Sequence, residues 1–288
     1  MTTLGFLGLG NMGTAIAGRL VGAGGEVQVW NRSPEAAESL VARGAIAAEH
    51  PAGALAAPVS FSMLANDEAA ESVLTAENLE GGPEGRIHVN MASISVDAAD
   101  RLEAVAAAAG VRYVACPVLG RPAVAAEGRL NLLLAGPDDA LDAVAPYLEH
   151  CGIRQWRFGE RPRQANAVKI AVNYTILHAL QALAESVSLV ERHDIDSSSF
   201  VELLSNSLFP GAVYTGYGSM IAERRYRPAG FAMELGLKDL GLAEELAAER
   251  RLELPTAPVL RERFESALAD RELAELDWSA VAEVTRRG

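Results

Sequence analysis

Short apolar runs alternate with helical stretches along the first half of the chain. Up to about Phe158, runs of strand length are separated by segments whose apolar residues recur three or four positions apart. The predicted strands are TLGFLGL, EVQVWN, PVSFSML, RIHVNM, RYVACPV, LNLLLAG and RQWRF. Early strands are followed by helical spacing, as in PEAAESLVARG and VDAADRLEAVAAAAG. This alternation predicts βαβ units around a mainly parallel sheet.

The pattern changes after the segment GERPRQ (159–164), because the strand-like runs stop there. The predicted helices that follow are ANAVKIAVNYTILHALQALAE, SSSFVELLSNSL, GFAMELGLKDLGLAEELAAERR, APVLRERFESALAD and DWSAVAEVTRR. We therefore predict an N-terminal α/β domain at residues 1–162. An all-α C-terminal domain is predicted at residues 163–288, and it begins with a long interdomain helix.

Composition narrows the classes of partner. The 288 residues are 50% hydrophobic and 22% charged, with a net charge of -13 and no compensating basic run, so nucleic acid and anionic membranes are excluded as expected partners. Cys116 and Cys151 show no metal-ligand spacing and fit a reducing compartment. The first residues lack a signal-peptide pattern, and polar residues such as Asn166 and Lys169 interrupt the longest apolar segment. We expect a cytoplasmic protein that does not span a membrane.

A glycine-rich loop joins the first predicted strand to the first helix. The loop GLGNMG consists of Gly8, Leu9, Gly10, Asn11, Met12 and Gly13. Glycines at this spacing allow a tight turn, close approach of backbone to a pyrophosphate, and packing of helix on strand. The motif alone is weak evidence, but its position at the first strand-to-helix junction favours a dinucleotide site. The fold class is then α/β, with a Rossmann-type doubly wound sheet followed by an all-α domain.

The end of the second strand predicts which dinucleotide binds. Sites that prefer NAD usually place Asp or Glu here, whereas this chain has Asn31, Arg32 and Ser33. A guanidinium and a hydroxyl can bind the 2′-phosphate of NADPH through charge-assisted hydrogen bonds. We therefore predict NADPH as the cofactor. The alternative is that Arg32 is a solvated arginine at a strand end.

One lysine interrupts the apolar segment that opens the all-α domain. Asn166 lies three residues before Lys169 and Asn173 four residues after it, so the three share one face of a helix. Free lysine has a pKa of about 10.4, and partial burial lowers it, which suits an acid/base catalyst. The alternative is a lysine that buries its stem and leads its amine to solvent.

Together these motifs resemble those of the β-hydroxyacid dehydrogenase family, which includes 3-hydroxyisobutyrate dehydrogenase and glyoxylate/succinic semialdehyde reductases. The resemblance implies that Lys169 and Asn173 are catalytic. It also implies that Lys238, in LKDLGLAEE, reaches cofactor or substrate, with Asp239 structural. The loop MLAND supplies three further cofactor contacts, Met63, Leu64 and Ala65. A 6-phosphogluconate dehydrogenase-like C-terminal domain and a homodimer formed through the all-α domains are further implications.

Two loops depart from the family pattern. In NMASIS, Ala92 stands where a serine usually helps to hold the substrate carboxylate, while Ser93 can still contact the cofactor. In CPVLGRPAVAAEG, the usual Ser-Gly-Gly is replaced by Leu119, Gly120 and Arg121. These residues and Ala92 are the candidate substrate-binding set. Arg121 either binds an acidic substrate or lies on the surface, and an uncharged or bulkier carbonyl substrate is the alternative.

The sequence thus predicts an NADPH-dependent oxidoreductase that acts on a small-molecule carbonyl substrate. It would reduce a small aldehyde, ketone or 2-oxo acid, or oxidise a 3-hydroxy acid, with Lys169 as general acid/base. One alternative is an imine reductase of the same architecture, which the retained lysine disfavours. Another is a non-catalytic NADPH-binding protein, suggested by the two altered loops. No metal site is predicted.

Overall fold

The main sheet consists of six parallel strands in the order β3-β2-β1-β4-β5-β6. The computed structural model describes residues 3–288. The strands are β1 (Thr3–Leu7), β2 (Glu26–Trp30), β3 (Ile46–Ala47), β4 (Val59–Ser62), β5 (Ile87–Asn90) and β6 (Arg112–Ala115). Strand order reverses between β1 and β4, which is where open parallel sheets bind ligands at the carboxyl ends of their strands. The Rossmann-type sheet predicted from the sequence is confirmed.

Both faces of this sheet are covered, which explains the apolar strands. Every residue of β4 and β5 is buried, as expected for parallel strands with helices on both sides. Two hydrophobic clusters flank the sheet, one containing Phe6 and Phe61 and the other Leu7 and Leu102. The helices of this part of the chain are α1 (Asn11–Gly22), α2 (Glu38–Val41), α3 (Pro51–Leu55), α4 (Asp67–Val73), α5 (Val96–Ala108), α6 (Pro122–Ala126) and α7 (Asp138–Leu148).

The helix predicted over PEAAESLVARG is wrong in extent. A 3-10 turn at Pro34–Ala37 comes first, and α2 covers four residues. The helix stops because Gly44 adopts a φ of +101° and the Ala45 N–H donates to the Leu40 carbonyl oxygen at 3.0 Å. A glycine in the left-handed region is a common way to end a helix.

A second, three-stranded sheet contains the last two predicted strands. β7 (Val118–Leu119) pairs antiparallel with β8 (Leu130–Leu134), and β8 pairs parallel with β9 (Gly152–Arg157). Pro117 marks the change of sheet, because it has no N–H for a ladder, while its carbonyl oxygen accepts from the Leu133 N–H at 2.9 Å. The sequence pattern did not predict β3 or β7, each of which has two residues.

A histidine lies buried within the main sheet between two serines. His88 Nδ1 is 2.8 Å from Ser60 Oγ, and Nε2 is 2.9 Å from Ser62 Oγ. A neutral imidazole has one donor and one acceptor nitrogen, so the two hydroxyls satisfy both. Burial lowers the pKa of His88 to about 3, and the ring is neutral at physiological pH.

We expect His88 to make the protein sensitive to acid. The unfolded chain takes up a proton near pH 6.5, whereas folded His88 does so near pH 3. This stabilisation is complete above pH 6.5 and is lost by about 1.4 kcal/mol for each pH unit below it. Urea unfolding of wild type and His88→Gln at several pH values between 7 and 4 checks this. The variant should lose stability less steeply, and parallel pH profiles would contradict the role of His88.

The chain forms two compact units, one ending at Lys169 and the other comprising Ile170–Gly288. The helices from this point are α8 (Arg163–Glu191), α9 (Ser197–Asn206), α10 (Ala212–Ala222), α11 (Met233–Glu249), α12 (Ala257–Ala269) and α13 (Ala282–Arg287). Helix α8 runs unbroken through the residue at which the units divide. The sequence pattern did not predict α10, which contains two glycines that weaken helix propensity.

Helix α8 is long and apolar enough, by length and composition, to cross a membrane. Its residues Leu177, Leu180 and Leu183 instead pack in the core of the helical unit with Phe264 and Trp278. Burial against other helices of the same unit explains why these positions are apolar.

Candidate active site

The glycine loop between β1 and α1 is closely packed on one side and open on the other. Gly8 has a φ of +89°, and a Cβ there would lie 2.4 Å from the Met63 carbonyl oxygen. A Cβ at Gly13 would lie 1.9 Å from the Gly8 carbonyl oxygen. By contrast, apart from Leu9 and Asn11 on either side of it in the chain, no residue of 3–288 places a heavy atom within 4 Å of a Cβ built at Gly10. The first and third glycines therefore permit packing, and the second leaves room for a ligand.

The N-terminus of α1 fits a pyrophosphate group. Gly10 is the N-cap, is exposed and has no side chain with which to cap the helix, and no acidic residue lies in the first turn of α1. The helix has 12 residues, so its free N–H groups and dipole favour an anion at this end. Leu9, Asn11 and Met12 complete the loop, and Met63 N–H donates to the Leu7 carbonyl oxygen at 2.8 Å. The predicted loop of Met63, Leu64 and Ala65 thus begins directly beside the glycine loop.

Asn31 connects the glycine loop to the turn after β2. Its Oδ1 accepts the Leu9 N–H at 2.8 Å, and its Nδ2 donates to the Ser33 carbonyl oxygen at 3.0 Å. The amide predicted to contact the cofactor thus has both ends occupied by backbone groups. Arg32 and Ser33 are exposed beside it and offer a guanidinium and a hydroxyl. Asn31 therefore holds the two loops together, and the residues next to it remain available for a phosphate.

The loop after β5 is held by side chains at both ends. Asn90 Oδ1 accepts the Ala92 N–H at 2.9 Å, and Asn90 Nδ2 donates to Tyr113 Oη at 2.9 Å. At the other end, Asp67 accepts hydrogen bonds from the Ser95 N–H at 3.0 Å and the Ser95 hydroxyl at 2.5 Å. Ala92 is buried, and its N–H already has an acceptor. Ser93 lies between the fixed ends and is half-buried.

The first turns of α8 are attached to this loop and to α5. Asn166 is buried, and its Nδ2 donates to the Ile94 carbonyl oxygen at 3.5 Å. Arg163, the first residue of the helix, donates to Asp100 on α5 at 2.5 Å. Lys169 follows Asn166 by three residues and is half-buried. The helix turn that carries the lysine is therefore fixed in the unit that contains the glycine loop.

Asn173 is held by a buried carboxylate in the helical unit. Its Nδ2 donates to Asp239 Oδ2 at 2.5 Å, and both side chains are buried. Lys238 Nζ lies 3.7 Å from Asp239 Oδ1. Asp239 thus orients Asn173 and contacts Lys238, which is consistent with the structural role expected for it.

The second altered loop follows β7. Leu119 packs partly against a small cluster that includes Ala115 and Leu133. Gly120 has a φ of +143°, and a Cβ there would lie 2.6 Å from a methyl group of Leu130. Arg121 is half-buried and is the N-cap of the short helix α6. Of the three predicted substrate residues here, Arg121 alone has a side chain that can bind an anion.

Residues 3–288 contain neither a group of side chains arranged to bind a metal ion nor a reactive cysteine. No group of three or more His, Cys, Asp and Glu side chains there is arranged to hold a metal ion. Cys116 and Cys151 are free and buried, and burial raises the pKa of both thiols, that of Cys151 to about 12. Both cysteines are therefore inert core residues.

Sequence reasoning missed the residues that support the site. Asp67, Ser95 and Tyr113 hold the loop after β5 and were not predicted. Asn31 was predicted as a cofactor contact, but its bond to the glycine loop was not. The sequence does contain one signal for Ser95, because a serine before an apolar run is a preferred helix N-cap. Its partner Asp67 is 28 residues away and gave no such signal.

The fold and the site together define an NAD(P)-dependent oxidoreductase. Residues 3–159 match the model of the NAD binding domain of 6-phosphogluconate dehydrogenase. Residues 164–285 match the model described as NAD-binding of NADP-dependent 3-hydroxyisobutyrate dehydrogenase. The chain belongs to the β-hydroxyacid dehydrogenase family, which confirms the resemblance seen in the sequence.

Relatives align over nearly the whole chain. The uncharacterized oxidoreductase YfjR of Bacillus subtilis is 40% identical over 96% of this chain and 96% of its own length. The 3-sulfolactaldehyde reductase of Escherichia coli is 31% identical over 99% of this chain and 96% of its own. The structure of 3-hydroxyisobutyrate dehydrogenase from Mycobacterium tuberculosis with L-serine has a TM-score of 0.89 and 27% identity, covering 99% of both chains.

Proposed function

We propose that this protein is an NADPH-dependent reductase of small aldehydes or ketones that carry an anionic group, with Lys169 as the general acid. The observation that carries the proposal is the attachment of the first turns of α8 to the loop after β5. This attachment keeps Lys169 in the unit that contains the glycine loop and the predicted cofactor contacts of the loops after β2, β4 and β5. A proton donor held beside a dinucleotide site is what carbonyl reduction needs.

The use of lysine in this chain supports the assignment. Of the 25 Lys and Arg residues, two are lysines, Lys169 and Lys238, and both lie in the motifs assigned from the sequence. Arginine serves wherever else the chain needs a cation. Arginine does not release a proton in proteins, whereas lysine does when its environment lowers its pKa. A lysine kept in so arginine-rich a chain therefore points to proton transfer.

The chemistry follows from these groups. Bound NADPH supplies a hydride to the carbonyl carbon. The Lys169 ammonium donates a hydrogen bond to the carbonyl oxygen and transfers its proton as negative charge develops there. Asn173, one helical turn away, helps to orient this oxygen, and Asp239 in turn holds Asn173. In the reverse direction the neutral amine of Lys169 accepts the proton of the alcohol.

The preference for NADPH rests on the turn after β2. Arg32 and Ser33 are exposed, while Asn31 is engaged with the backbone on either side of them. No carboxylate stands at residues 31–33 to repel a 2′-phosphate. The family model matched by the C-terminal half describes an NADP-dependent enzyme, which agrees with this proposal.

The proposed substrate carries a carboxylate or sulfonate because Arg121 can replace the usual carboxylate-binding residues. The Ala92 N–H donates to Asn90, so this backbone group is not available for a substrate anion. Arg121 offers five N–H donors in a planar fork that suits oxyanions. The name of the Escherichia coli relative, 3-sulfolactaldehyde reductase, also indicates an anionic aldehyde.

A substrate screen tests this function. Purified protein is assayed for NADPH oxidation with anionic aldehydes, matched neutral aldehydes and cyclic imines. Anionic aldehydes should have the highest kcat/KM. Turnover of imines alone would replace this proposal with imine reduction, and no turnover across the panel would favour a non-catalytic NADPH-binding protein.

Replacing Arg121 with glutamine should raise KM for anionic aldehydes by about 10- to 100-fold, because a hydrogen bond to a charged group contributes about 1.5–3 kcal/mol. Neutral aldehydes of the same length are the internal control, and their kcat/KM should change little. Steady-state kinetics on both classes measures the difference. An equal loss on both classes would show that Arg121 supports the fold of the loop rather than the substrate.

Cytoplasmic localisation and a homodimer formed through the helical unit also remain part of the proposal. The helical unit leaves several large apolar side chains exposed, including Leu189, Leu203 and Leu208. A subunit interface would cover such side chains where they adjoin one another. Sedimentation velocity of the purified protein distinguishes a dimer from a monomer.

A further inference from the structure

Asp67 and Ser95 connect two loops at the carboxyl edge of the main sheet. Asp67 is the first residue of α4 and follows the loop after β4, whereas Ser95 is the N-cap of α5 and ends the loop after β5. One carboxylate oxygen accepts the Ser95 N–H at 3.0 Å, and the other accepts the Ser95 hydroxyl at 2.5 Å. Hydrogen bonds to a carboxylate are stronger than neutral ones, so this is a firm connection.

The position of the Asp67–Ser95 hydrogen bonds in the sheet indicates which part of a bound dinucleotide they would support. In Rossmann-type sheets the glycine loop after the first strand binds the pyrophosphate, and the end of the second strand binds the adenosine ribose. The strand order runs from β2 through β1 to β4 and β5, so the other half of a dinucleotide falls over the loops after β4 and β5. Asp67 joins these two loops. The adenosine half would lie on the opposite side of β1, toward β2.

The loop after β5 is fixed at its start by Asn90, which accepts the Ala92 N–H, and at its end by Asp67. Ser93 lies between these two points. Without Asp67 the end of the loop would lose both acceptors for Ser95, and the loop would spend less time in this conformation. A ligand that needs the ordered loop then binds more weakly in proportion to the ordered fraction.

We propose that Asp67 is a positioning residue that preorganises the loop after β5 for the nicotinamide half of the cofactor. The proposal rests on the cofactor assignment above. Asp67 acts through Ser95 and is not assigned a contact with cofactor or substrate. Its loss should weaken binding of the whole dinucleotide but not of the adenosine half alone.

The chain contains a matched control. Glu71 and Arg101 connect the same two helices, with 2.7 Å between Arg101 Nη2 and Glu71 Oε1, but farther along each helix from the edge of the sheet. Both side chains are partly exposed to solvent, so this ion pair contributes little stability. If Asp67 acted only by tying α4 to α5, Glu71→Gln should have a similar effect.

Calorimetric titration with NADP+ and with 2′,5′-ADP, which lacks the nicotinamide half, tests the proposal. Asp67→Ala should raise the Kd for NADP+ by about tenfold, as expected if the loop is ordered about a tenth of the time. Its Kd for 2′,5′-ADP should match wild type, which also shows that the unit is folded. Asp67→Asn should lie between Asp67→Ala and wild type. Glu71→Gln should resemble wild type.

Two results would overturn the role of Asp67. The first is equal weakening of both ligands in Asp67→Ala, and the second is unchanged binding of both. Failure of the cofactor assignment looks different, because wild type would then bind NAD+ in place of NADP+. In that case the same variants are titrated with NAD+ and AMP, and the comparison between whole and half ligand decides the proposal in the same way.

Discussion

Replacing Lys169 with alanine is expected to lower kcat by about 10²- to 10⁴-fold, the range that a positioned general acid contributes. Affinity for NADP+ should stay near that of wild type, because all predicted cofactor contacts except Lys238 lie in the loops after β1, β2, β4 and β5. Lys169 is half-buried on a helix whose first turn is bonded to one of these loops. Rapid-mixing kinetics with saturating NADPH and aldehyde measures the loss directly.

Arginine at position 169 provides the sharper comparison. Lys169→Arg keeps the positive charge that polarises a carbonyl but cannot release the proton. We expect it to bind substrate nearly as well as wild type and to remain almost as slow as Lys169→Ala. If Lys169→Arg were as active as wild type, the lysine would act through its charge alone. If Lys169→Ala were fully active, the proton would come from another group, and the proposed mechanism would be wrong.

Replacing Arg32 with alanine is expected to reduce the preference for NADPH over NADH by about 10- to 100-fold. The estimate follows from the loss of hydrogen bonds between a guanidinium and a phosphate, which contribute about 1.5–3 kcal/mol. The kcat/KM for NADPH should fall while that for NADH changes little, since NADH lacks the 2′-phosphate. Values of kcat/KM for both cofactors at low and high salt measure it, and the wild-type preference should weaken as salt rises.

Asn31→Ala is the control for Arg32. Asn31 bonds the Leu9 N–H and the Ser33 carbonyl oxygen, so its removal loosens the glycine loop that either cofactor needs. We expect Asn31→Ala to weaken NADPH and NADH to the same extent and to leave their ratio unchanged. A change in the ratio for Asn31→Ala, with none for Arg32→Ala, would reverse the roles assigned to these neighbours.

Hydrophobic patterns that extend over a whole strand or helix predicted most of the fold. Strands buried on both faces give continuous apolar runs, and amphipathic helices give a repeat of three to four, so the parallel sheet and most long helices could be predicted. The two-residue strands β3 and β7 are too short to carry a pattern. The second sheet depends on Pro117 and on pairing with β8, a contact between segments that the local sequence does not encode.

The candidate site likewise has parts that the sequence predicted and parts that it did not. The glycine loop and the lysine motif could be predicted, because each is a local motif with a local physical reason. The supporting contacts could not, since Asn31 to Leu9 and Asp67 to Ser95 join loops that come from different strands. Their partners are defined by the order of strands in the sheet, which becomes known only when the chain is folded.

Because α8 is unbroken, the number of residues between Lys169 and Asn173 determines the angle between their side chains around the helix axis. Both residues belong to one continuous helix, so their angular offset is set by backbone geometry and not by side-chain packing. Inserting one residue between them would turn Asn173 by about 100° around the helix axis. Substitutions between the two positions preserve this phase, whereas insertions and deletions destroy it. The length of the segment between them is therefore constrained by this relation, and its composition by the burial of Ile170.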